Sequence, residues 1–179
     1  SDLTSVDRML RGDLQPQPSH TAVRAVVADV LADLDTPGRR AIGLSSTDAV
    51  ALADPVLTAR IVDNLVSNAL KYTSLSAAIE VTVSTDGRHV VIDVDDDGPG
   101  VPDDRREAIF EAYVRGDEST DRPGSGMGLF LARTFAEVQH GSVVCEPSPL
   151  GGARFRVRLP AAPEAPSGLP EKHGADTDG

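Results

Sequence analysis

The sequence predicts an α/β sandwich, in which helices pack on a mixed and mostly antiparallel sheet. Two stretches, residues 21–34 and 55–73, carry apolar side chains at helical spacing. Two pairs of alternating segments, within residues 78–95 and 143–159, are typical of hairpins. Helices and strands do not alternate regularly along the chain, which favours a sandwich over a doubly wound parallel sheet.

The predicted elements follow from periodicity and from the residues that start or stop them. In chain order they are a helix at 21–34, strands at 40–44 and 50–53, a helix at 55–73, strands at 78–84 and 88–95, a short helix at 103–110, a helix at 127–140, and strands at 143–146 and 153–159. Asp54 can cap the second helix, and Pro55 suits its first position. Asp86 and Gly87 form the turn of the first hairpin.

Three other segments are predicted to lie outside the regular elements. Residues 1–20 combine apolar side chains at helical spacing with a proline-containing linker, and residues 161–179 are rich in Pro, Ala, Gly and acidic residues. We therefore expect a helix end with a linker, a domain over residues 21–160, and a disordered acidic tail. Residues 111–126 form a polar, glycine-rich loop, and loops this long are usually functional lids or disordered.

The composition limits the classes of function that the chain can have. Its 17 Lys and Arg against 28 Asp and Glu give a formal charge of −11, which argues against binding nucleic acid or an anionic membrane surface. A small anionic ligand is compatible with this charge because backbone N–H groups can form a local anion site. Cys145 is the only cysteine, so the chain contains neither an internal disulfide nor a Cys-rich zinc site.

The helix at 55–73 carries the first candidate functional residues. Asn64, Asn68 and Lys71 lie within about 60° of one another on one face, at 100° per residue. Amide oxygens suit Mg²⁺, and a neighbouring lysine suits phosphate. The alternative is an ordinary solvated polar face, which for two asparagines alone is the more frequent case.

A second candidate is the acidic and glycine-rich segment after a buried strand. There Asp96 can accept an N–H group from a base such as adenine, and Gly98 and Gly100 allow a ligand to approach the backbone closely. An ordinary turn is one alternative. A calcium loop is rejected because Pro99 and Pro102 lie inside it and no helix precedes it.

A third candidate is the glycine-rich junction between the long loop and the helix at 127–140. Gly124, Gly126 and Gly128 place backbone N–H groups beside a helix N-terminus, where anions bind. The spacing matches neither a dinucleotide-binding fingerprint nor a P-loop. Flexible loops are also rich in glycine, so this segment alone is weak evidence.

Together these patterns occur in a specific order. The five segments are Asn64-Leu65-x-x-Asn68-Ala69-x-Lys71-Tyr72, Asp96-x-Gly98-x-Gly100, Phe110-x-x-Tyr113-x-Arg115, Gly124-x-Gly126-x-Gly128-Leu129 and Gly151-Gly152-x-x-Phe155. Their order and spacing over residues 21–160 resemble the N, G1, F, G2 and final Gly-Gly boxes of bacterial two-component sensor histidine kinases. The resemblance implies the Bergerat fold of the GHKL superfamily, with helices on one face of the sheet and ATP under a mobile lid.

The resemblance also implies roles for individual residues. Asn68 would ligate Mg²⁺, and Asn64 would support the cluster of phosphate and metal. Lys71 and Arg115 would contact and stabilise phosphate as the candidate catalytic groups, and Tyr72 would flank the adenine. The phosphoacceptor histidine would lie outside the chain, because none of its four histidines fits that role.

The remaining implied contacts lie in the glycine-rich segments and the lid. Asp96 would accept the adenine amino group, and Phe110 with Tyr113 would anchor the near end of the lid. Because no apolar anchor lies between Val114 and Met127, we expect the lid to be mobile without nucleotide. The implied nucleotide-binding set is completed by Gly98, Gly100, Gly124, Gly126, Met127, Gly128 and Leu129.

One residue separates the subfamilies that the resemblance covers. Hydrolytic relatives have a glutamate, the general base for water, where this chain has Asn64. An amide accepts no proton at neutral pH, so the resemblance implies phosphoryl transfer from ATP to histidine and then to an aspartate of a response regulator. An anti-sigma-type serine kinase and a non-catalytic nucleotide-sensing module are the alternatives.

The resemblance further implies the setting of this domain. Residues 1–20 would end the dimerisation helix of a homodimeric, membrane-anchored bacterial sensor, and the domain would be cytoplasmic. It would contact its own dimerisation domain and the response regulator, and neither nucleic acid nor the membrane. As an isolated piece it is expected to be monomeric.

Overall fold

A five-stranded sheet and three helices dominate the part of the chain that the computed structural model describes, residues 12–34, 41–112 and 126–164. The strands are β1 Ser19–Ala22, β2 Gly43–Ser46, β3 Val50–Ala53, β4 Ile79–Thr85, β5 His89–Asp96, β6 Ser142–Pro147 and β7 Ala153–Pro160. The helices are α1 Val23–Leu34, α2 Pro55–Tyr72 and α3 Gly128–Glu137. Short 3-10 turns occupy Asp103–Arg105 and Ala108–Phe110.

The topology of the sheet confirms the predicted fold class. The strand order is β2-β4-β5-β7-β6, in which β2 pairs with β4 in parallel and the other pairs are antiparallel. A separate antiparallel pair joins β1 to β3, and Ala161 adds a bridge on the other side of β3. The sheet is thus mixed and mostly antiparallel, as the two hairpin patterns predict.

Alternation along the strands gives the large sheet two different faces. Its core face packs against the helices and carries buried apolar side chains, such as Ile92 of β5 and Phe155 of β7. Its outer face carries charged side chains, and here Asp93 and Asp95 lie opposite Arg156 and Arg154 in the register of β5 and β7. The period-two pattern therefore separates a hydrophobic core from an outer face of ion pairs.

Helix α2 begins as its sequence predicts. The Asp54 carboxylate accepts hydrogen bonds from the N–H groups of Val56 and Leu57, at 2.8 and 3.1 Å, and Pro55 occupies the first turn. Such a cap contributes about 1 kcal/mol of helix stability. The apolar side of α2 is fully buried at Ile61 and Leu65, so its opposite side is left for polar residues.

Several boundaries differ from the predicted ones. The first helix starts at Val23 because residues 19–22 form β1, a strand that the sequence did not predict. The predicted strand at 40–44 is found at Gly43–Ser46. The predicted short helix at 103–110 is two 3-10 turns, since a segment this short forms few helical hydrogen bonds and is costly to nucleate.

The third helix ends three residues before the predicted His140. The N–H groups of Gln139 and His140 bond to carbonyls three residues earlier, and the N–H of Gly141 returns to the carbonyl of Ala136. This geometry closes the helix with His140 in the left-handed region, at φ 62°. Predictions for residues 1–11, 35–40, 113–125 and 165–179 lie outside the described residues.

None of the helices in the described residues combines the length and the apolar character that a transmembrane span requires.

Candidate functional site

Helix α2 carries one end of the candidate site, which we call the amide end. Asn64, Asn68 and Lys71 are half-buried on one side of the helix, as predicted, while Leu65 on the other side is fully buried in the core. Neither asparagine side chain forms a hydrogen bond within residues 12–34, 41–112 and 126–164. Two amide oxygens are thus available to a ligand or a metal.

The N-terminus of α3 lies beside this end. A Cβ atom placed on Gly128, the first residue of α3, would be 3.7 Å from Oδ1 of Asn64. Met127 precedes the helix and provides no side-chain cap, so the first N–H groups of α3 have no capping acceptor from it. Free N–H groups and the positive end of the helix dipole attract anions. The amide end can therefore bind an anion even though the net charge of the chain is negative.

The other three residues predicted in this segment also lie at the start of α3. Gly126 adopts φ 69°, a left-handed conformation that favours glycine. Met127 is buried and Leu129 is half-buried against the core. Tyr113, Arg115 and Gly124 lie outside the described residues, so their predicted contacts remain predictions.

The second end of the site, which we call the carboxylate end, lies where β5 stops. Asp96 is 5% exposed, and its Oδ1 accepts hydrogen bonds from the N–H groups of Gly98 at 2.9 Å and Ala153 at 3.2 Å. Its backbone carbonyl accepts a third from Gly152, at 3.1 Å. Within the described part of the chain, Oδ2 has no hydrogen-bond partner. One oxygen is fixed by backbone and the other is left for a donor on a ligand.

Glycines allow the backbone to pack closely around this carboxylate. A Cβ atom on Gly152 would lie 2.3 Å from Oδ1 of Asp96, and one on Gly98 would lie 2.6 Å from Cγ2 of Thr73. Gly100 adopts φ 72°, and a Cβ atom placed on it would lie 3.4 Å from the carbonyl oxygen of Gly152. These glycines therefore let the protein pack closely around Asp96, and the close approach of a ligand to Gly98 and Gly100 stays a prediction.

Helix α2 joins the two ends. Asn64 adjoins the start of α3, whereas Thr73, immediately after the helix, adjoins Gly98. The two residues are nine positions apart, which corresponds to a rise of about 13 Å along the helix. The structure thus brings the first two predicted segments and the start of α3 together along one elongated site.

Aromatic side chains flank the site. Tyr72, at the end of α2, is 38% exposed, and the Nζ atom of Lys71 lies 5.0 Å from the centre of its ring. Phe110 is buried with its ring edge-on to Phe155, at 6.2 Å between centroids, and Arg133 stacks over it. Phe110 is therefore anchored in the core, and its role at the end of a lid stays a prediction because residues 113–125 lie outside the described residues.

The one cysteine lies close to the carboxylate end but is inert. Cys145 on β6 is opposite Phe155 in the register and 9% exposed. Burial raises the pKa of its thiol to about 11. The thiol is accordingly protonated at neutral pH and is not a nucleophile there.

Sequence reasoning did not identify every group that builds the site. In the sequence Gly152 belongs only to a motif, and no pattern marks Ala153 or Thr73 as site residues. Gly152 and Ala153 act through backbone N–H groups, which carry no side-chain signature. The glycine pair at 151–152 is the only local signal that a close contact occurs there.

Comparison with known proteins agrees with this geometry. A family model described as "Histidine kinase-, DNA gyrase B-, and HSP90-like ATPase" matches residues 53–163. The sensor protein KdpD of Escherichia coli strain K12 is 32% identical over 168 residues, which covers 92% of this chain and 19% of KdpD. The match includes both ends of the site.

Two solved structures have the same fold. The ATP-binding domain of PrrB from Mycobacterium tuberculosis superposes with a TM-score of 0.66 at 26% identity, covering 84% of this chain and all of that one. Full-length ShkA in complex with AMPPNP gives a TM-score of 0.69 at 30% identity, over 83% of this chain and 32% of ShkA. The chain thus spans about a fifth of KdpD and a third of ShkA.

Proposed function

The chain belongs to the histidine kinase-, DNA gyrase B- and HSP90-like ATPase family, and on that premise we propose that it binds Mg-ATP and donates the γ-phosphoryl group to a histidine. That histidine would lie on a dimerisation domain, and an aspartate of a response regulator would take the phosphoryl group from it. The observation that carries this proposal is the Asp96 carboxylate, with one oxygen held by two backbone N–H groups and the other open.

The carboxylate end is suited to the adenine base. An amino group on the base would donate to Oδ2 of Asp96, and Tyr72 would flank the ring from the end of α2. A base that donates a hydrogen bond to this buried carboxylate should bind more tightly than one that does not, because a buried group left without a partner costs free energy. This arrangement favours adenine over bases that present a carbonyl at the same position.

The amide end is suited to the triphosphate and its metal. Within the described residues no three His, Cys, Asp or Glu side chains gather into a metal cluster. Mg²⁺ is often bound by few protein oxygens together with phosphate oxygens, which fits the single amide ligand proposed at Asn68. Mg²⁺ supplies charge neutralisation on the phosphates when it is bound. Lys71, Arg115 and the N–H groups of Gly126 and Gly128 would add to that neutralisation.

Phosphoryl transfer fits the amide end better than hydrolysis of ATP. Asn64 lies beside the start of α3, where the resemblance places the general base of hydrolytic relatives. Its amide cannot remove a proton from water at neutral pH. We therefore assign Asn64 to binding and positioning, so that the γ-phosphoryl group is kept for an acceptor on another domain.

The proposal also covers the histidine that accepts the phosphoryl group and the cellular location of the domain. Among the described histidines, His20 is exposed on β1, His89 bonds to Asp86 in a hairpin, and His140 ends a helix. None of them is among the residues that form either end of the site, and we infer that the acceptor belongs to a dimerisation domain. Because ATP and response regulators are cytoplasmic, the domain would act on the cytoplasmic side of a membrane-anchored sensor. The AMPPNP bound by ShkA supports the nucleotide assignment.

The experiment follows the phosphoryl group. The chain is incubated with γ-labelled ATP, Mg²⁺ and a histidine-bearing dimerisation domain, and the labelled protein is treated with acid or base. Label on histidine is lost in acid and stable in base, which is the expected result. Acid-stable label identifies a serine kinase instead, and nucleotide binding without transfer identifies a sensing module. The Asp96→Ala variant is the control, because it should give no label.

A further inference from the structure

The end of β5 presents two neighbouring carboxylates to opposite faces of the sheet. Asp96 points to the site, and Asp95 points to the outer face, where it is 4% exposed. The guanidinium of Arg154 binds Asp95 with two hydrogen bonds of 2.9 Å, one to each carboxylate oxygen. Such paired contacts to a buried carboxylate are strong and directional.

Asp95 also accepts a hydrogen bond from a second residue, Ser148. The Ser148 hydroxyl donates to Oδ1 of Asp95 at 2.9 Å and accepts from the N–H of Leu150 at 3.1 Å. Ser148 starts the turn of residues 148–152 between β6 and β7, and Arg154 follows that turn by two residues. One carboxylate therefore holds both ends of the turn.

This turn is the element that fixes Asp96. Its last residue, Gly152, donates to the Asp96 carbonyl, and the next residue, Ala153, donates to Oδ1 of Asp96. The turn packs tightly against Asp96, because a Cβ atom placed on Gly152 would lie only 2.3 Å from Oδ1 of Asp96. A shift of the turn would thus change the direction of the Asp96 carboxylate.

A second aspartate–arginine pair on β5 and β7 can be compared with the pair of Asp95 and Arg154. Asp93 is bound by Arg156 with hydrogen bonds of 2.8 and 3.0 Å, as Asp95 is bound by Arg154. Both aspartates are buried on the outer face, and both arginines are largely buried. Only Asp95 is bonded to the turn through Ser148. Asp93 also lies 3.7 Å from Nη1 of Arg154, and Arg156 also pairs with Glu146 at 3.2 Å. The Asp93 pair is therefore part of the same ion-pair network, but it makes no hydrogen bond to the turn.

We propose that Asp95, Ser148 and Arg154 are positioning residues that hold the 148–152 turn from the outer face and thereby aim Asp96 at the base. This inference rests on the proposed function, since it assigns the specificity of that site to residues outside it. Removal of the Ser148 hydroxyl frees one end of the turn, so the bond from Asp96 to an adenine amino group weakens. Contacts at the amide end are unaffected.

The test measures discrimination at the base. Dissociation constants are determined for ATP and for purine riboside triphosphate, which lacks the 6-amino group, with Mg²⁺ present. We expect Ser148→Ala and Asp95→Ala to lower the preference for ATP about tenfold through weaker ATP binding, with the analogue bound as by the wild type. Ser148→Thr, which keeps a hydroxyl, should restore the preference.

Asp93→Ala is the matched control, because it removes a second buried aspartate of the same ion-pair network, one that contacts Arg156 and Arg154 but has no hydrogen bond to the turn. Thermal unfolding of every variant reports the purely structural cost, and Ser148→Ala keeps the test usable if Asp95→Ala does not fold. Equal loss of preference in Asp93→Ala, or an unchanged preference in Ser148→Ala, overturns the proposal. A wild type that binds both nucleotides equally, or neither, contradicts the proposed function itself.

Discussion

At the carboxylate end of the site, Asp96 is buried and its Oδ1 is held by two backbone N–H groups. At the amide end, Asn64 and Asn68 are half-buried, and their side chains have no hydrogen bonds within the described residues. One end is thus fixed by hydrogen bonds of the fold itself, and the other is not. If the proposed function is correct, the residues that recognise the base are preorganised, whereas the residues that handle phosphate and metal gain their partners from the ligand.

The physical reason lies in burial. A buried carboxylate is costly unless it is hydrogen-bonded, so the fold must satisfy Asp96 with Gly98 and Ala153 to exist at all. Half-buried amides such as Asn64 can be solvated, and the fold does not require partners for them. A carboxylate that is already fixed gives specificity with little loss of conformational entropy on binding. Amide side chains without fixed partners can instead accept a phosphate chain and a metal together.

The largest expected effect comes from breaking the carboxylate end. Asp96→Ala removes the acceptor for the adenine amino group, and we expect ATP affinity to fall by about a hundredfold or more. Isothermal titration with and without Mg²⁺ measures this loss. Normal Mg-ATP binding by this variant would mean that Asp96 is not the base acceptor.

A smaller effect is expected when the backbone around the carboxylate is crowded. Gly152→Ala forces a Cβ to within 2.3 Å of the carboxylate, and overpacking of this kind costs about 1–3 kcal/mol. Unfolding temperature and ATP affinity should both fall. Gly151→Ala is the control, because its Cβ meets nothing within 4 Å and only the strained φ of 108° acts. Equal losses in both variants would contradict this explanation, because of these two glycines only Gly151 holds a positive φ and only the Cβ at Gly152 meets the carboxylate.

Breaking the amide end should change the metal dependence of binding instead. Asn68→Ala removes the proposed Mg²⁺ ligand, so ATP affinity with Mg²⁺ should fall about tenfold to the level measured with chelator. Affinity in chelator should be the same as that of the wild type. Titrations in both conditions separate the two cases, and a variant that keeps its Mg²⁺ dependence would remove Asn68 from the metal site.

The smallest effect concerns stability, with both ends left intact. His140 holds a left-handed conformation, at φ 62°, and His140→Gly removes the clash of its Cβ. We expect about 0.5–1 kcal/mol of added stability, which corresponds to a rise in unfolding temperature of roughly 1–4 °C. Thermal unfolding measures the rise, and ATP affinity should not change. A lower unfolding temperature would show that the His140 side chain stabilises the helix end.

Sequence could predict what is local. The start of α2 follows from Asp54 and Pro55, and the first hairpin follows from its alternation and from Asp86 and Gly87. Strand β1 was missed because Ser19 pairs with Ala53, far along the chain, and four residues carry little pattern. The site shows the same division, since Asp96 could be identified from the motif after its strand.

The partners of that aspartate could not be identified in the same way. Ala153 donates to Asp96 from 57 residues further along, and its backbone N–H group leaves no trace in the sequence. The pairs of Asp95 with Arg154 and Asp93 with Arg156 depend on the register of β5 and β7. Alternating acidic residues in one strand and arginines in another suggest ion pairs across the strands, but only the register determines which aspartate pairs with which arginine.

The arrangement around β3 has a consequence for how this domain is connected. Strand β1 lies on one side of β3, and Ala161 and Ala162 bond to the other side. The incoming and outgoing chain are therefore about two strand spacings apart, roughly 10 Å. A domain whose two ends lie this close together can be inserted into a longer protein, or circularised by a short linker, without a change in its internal topology.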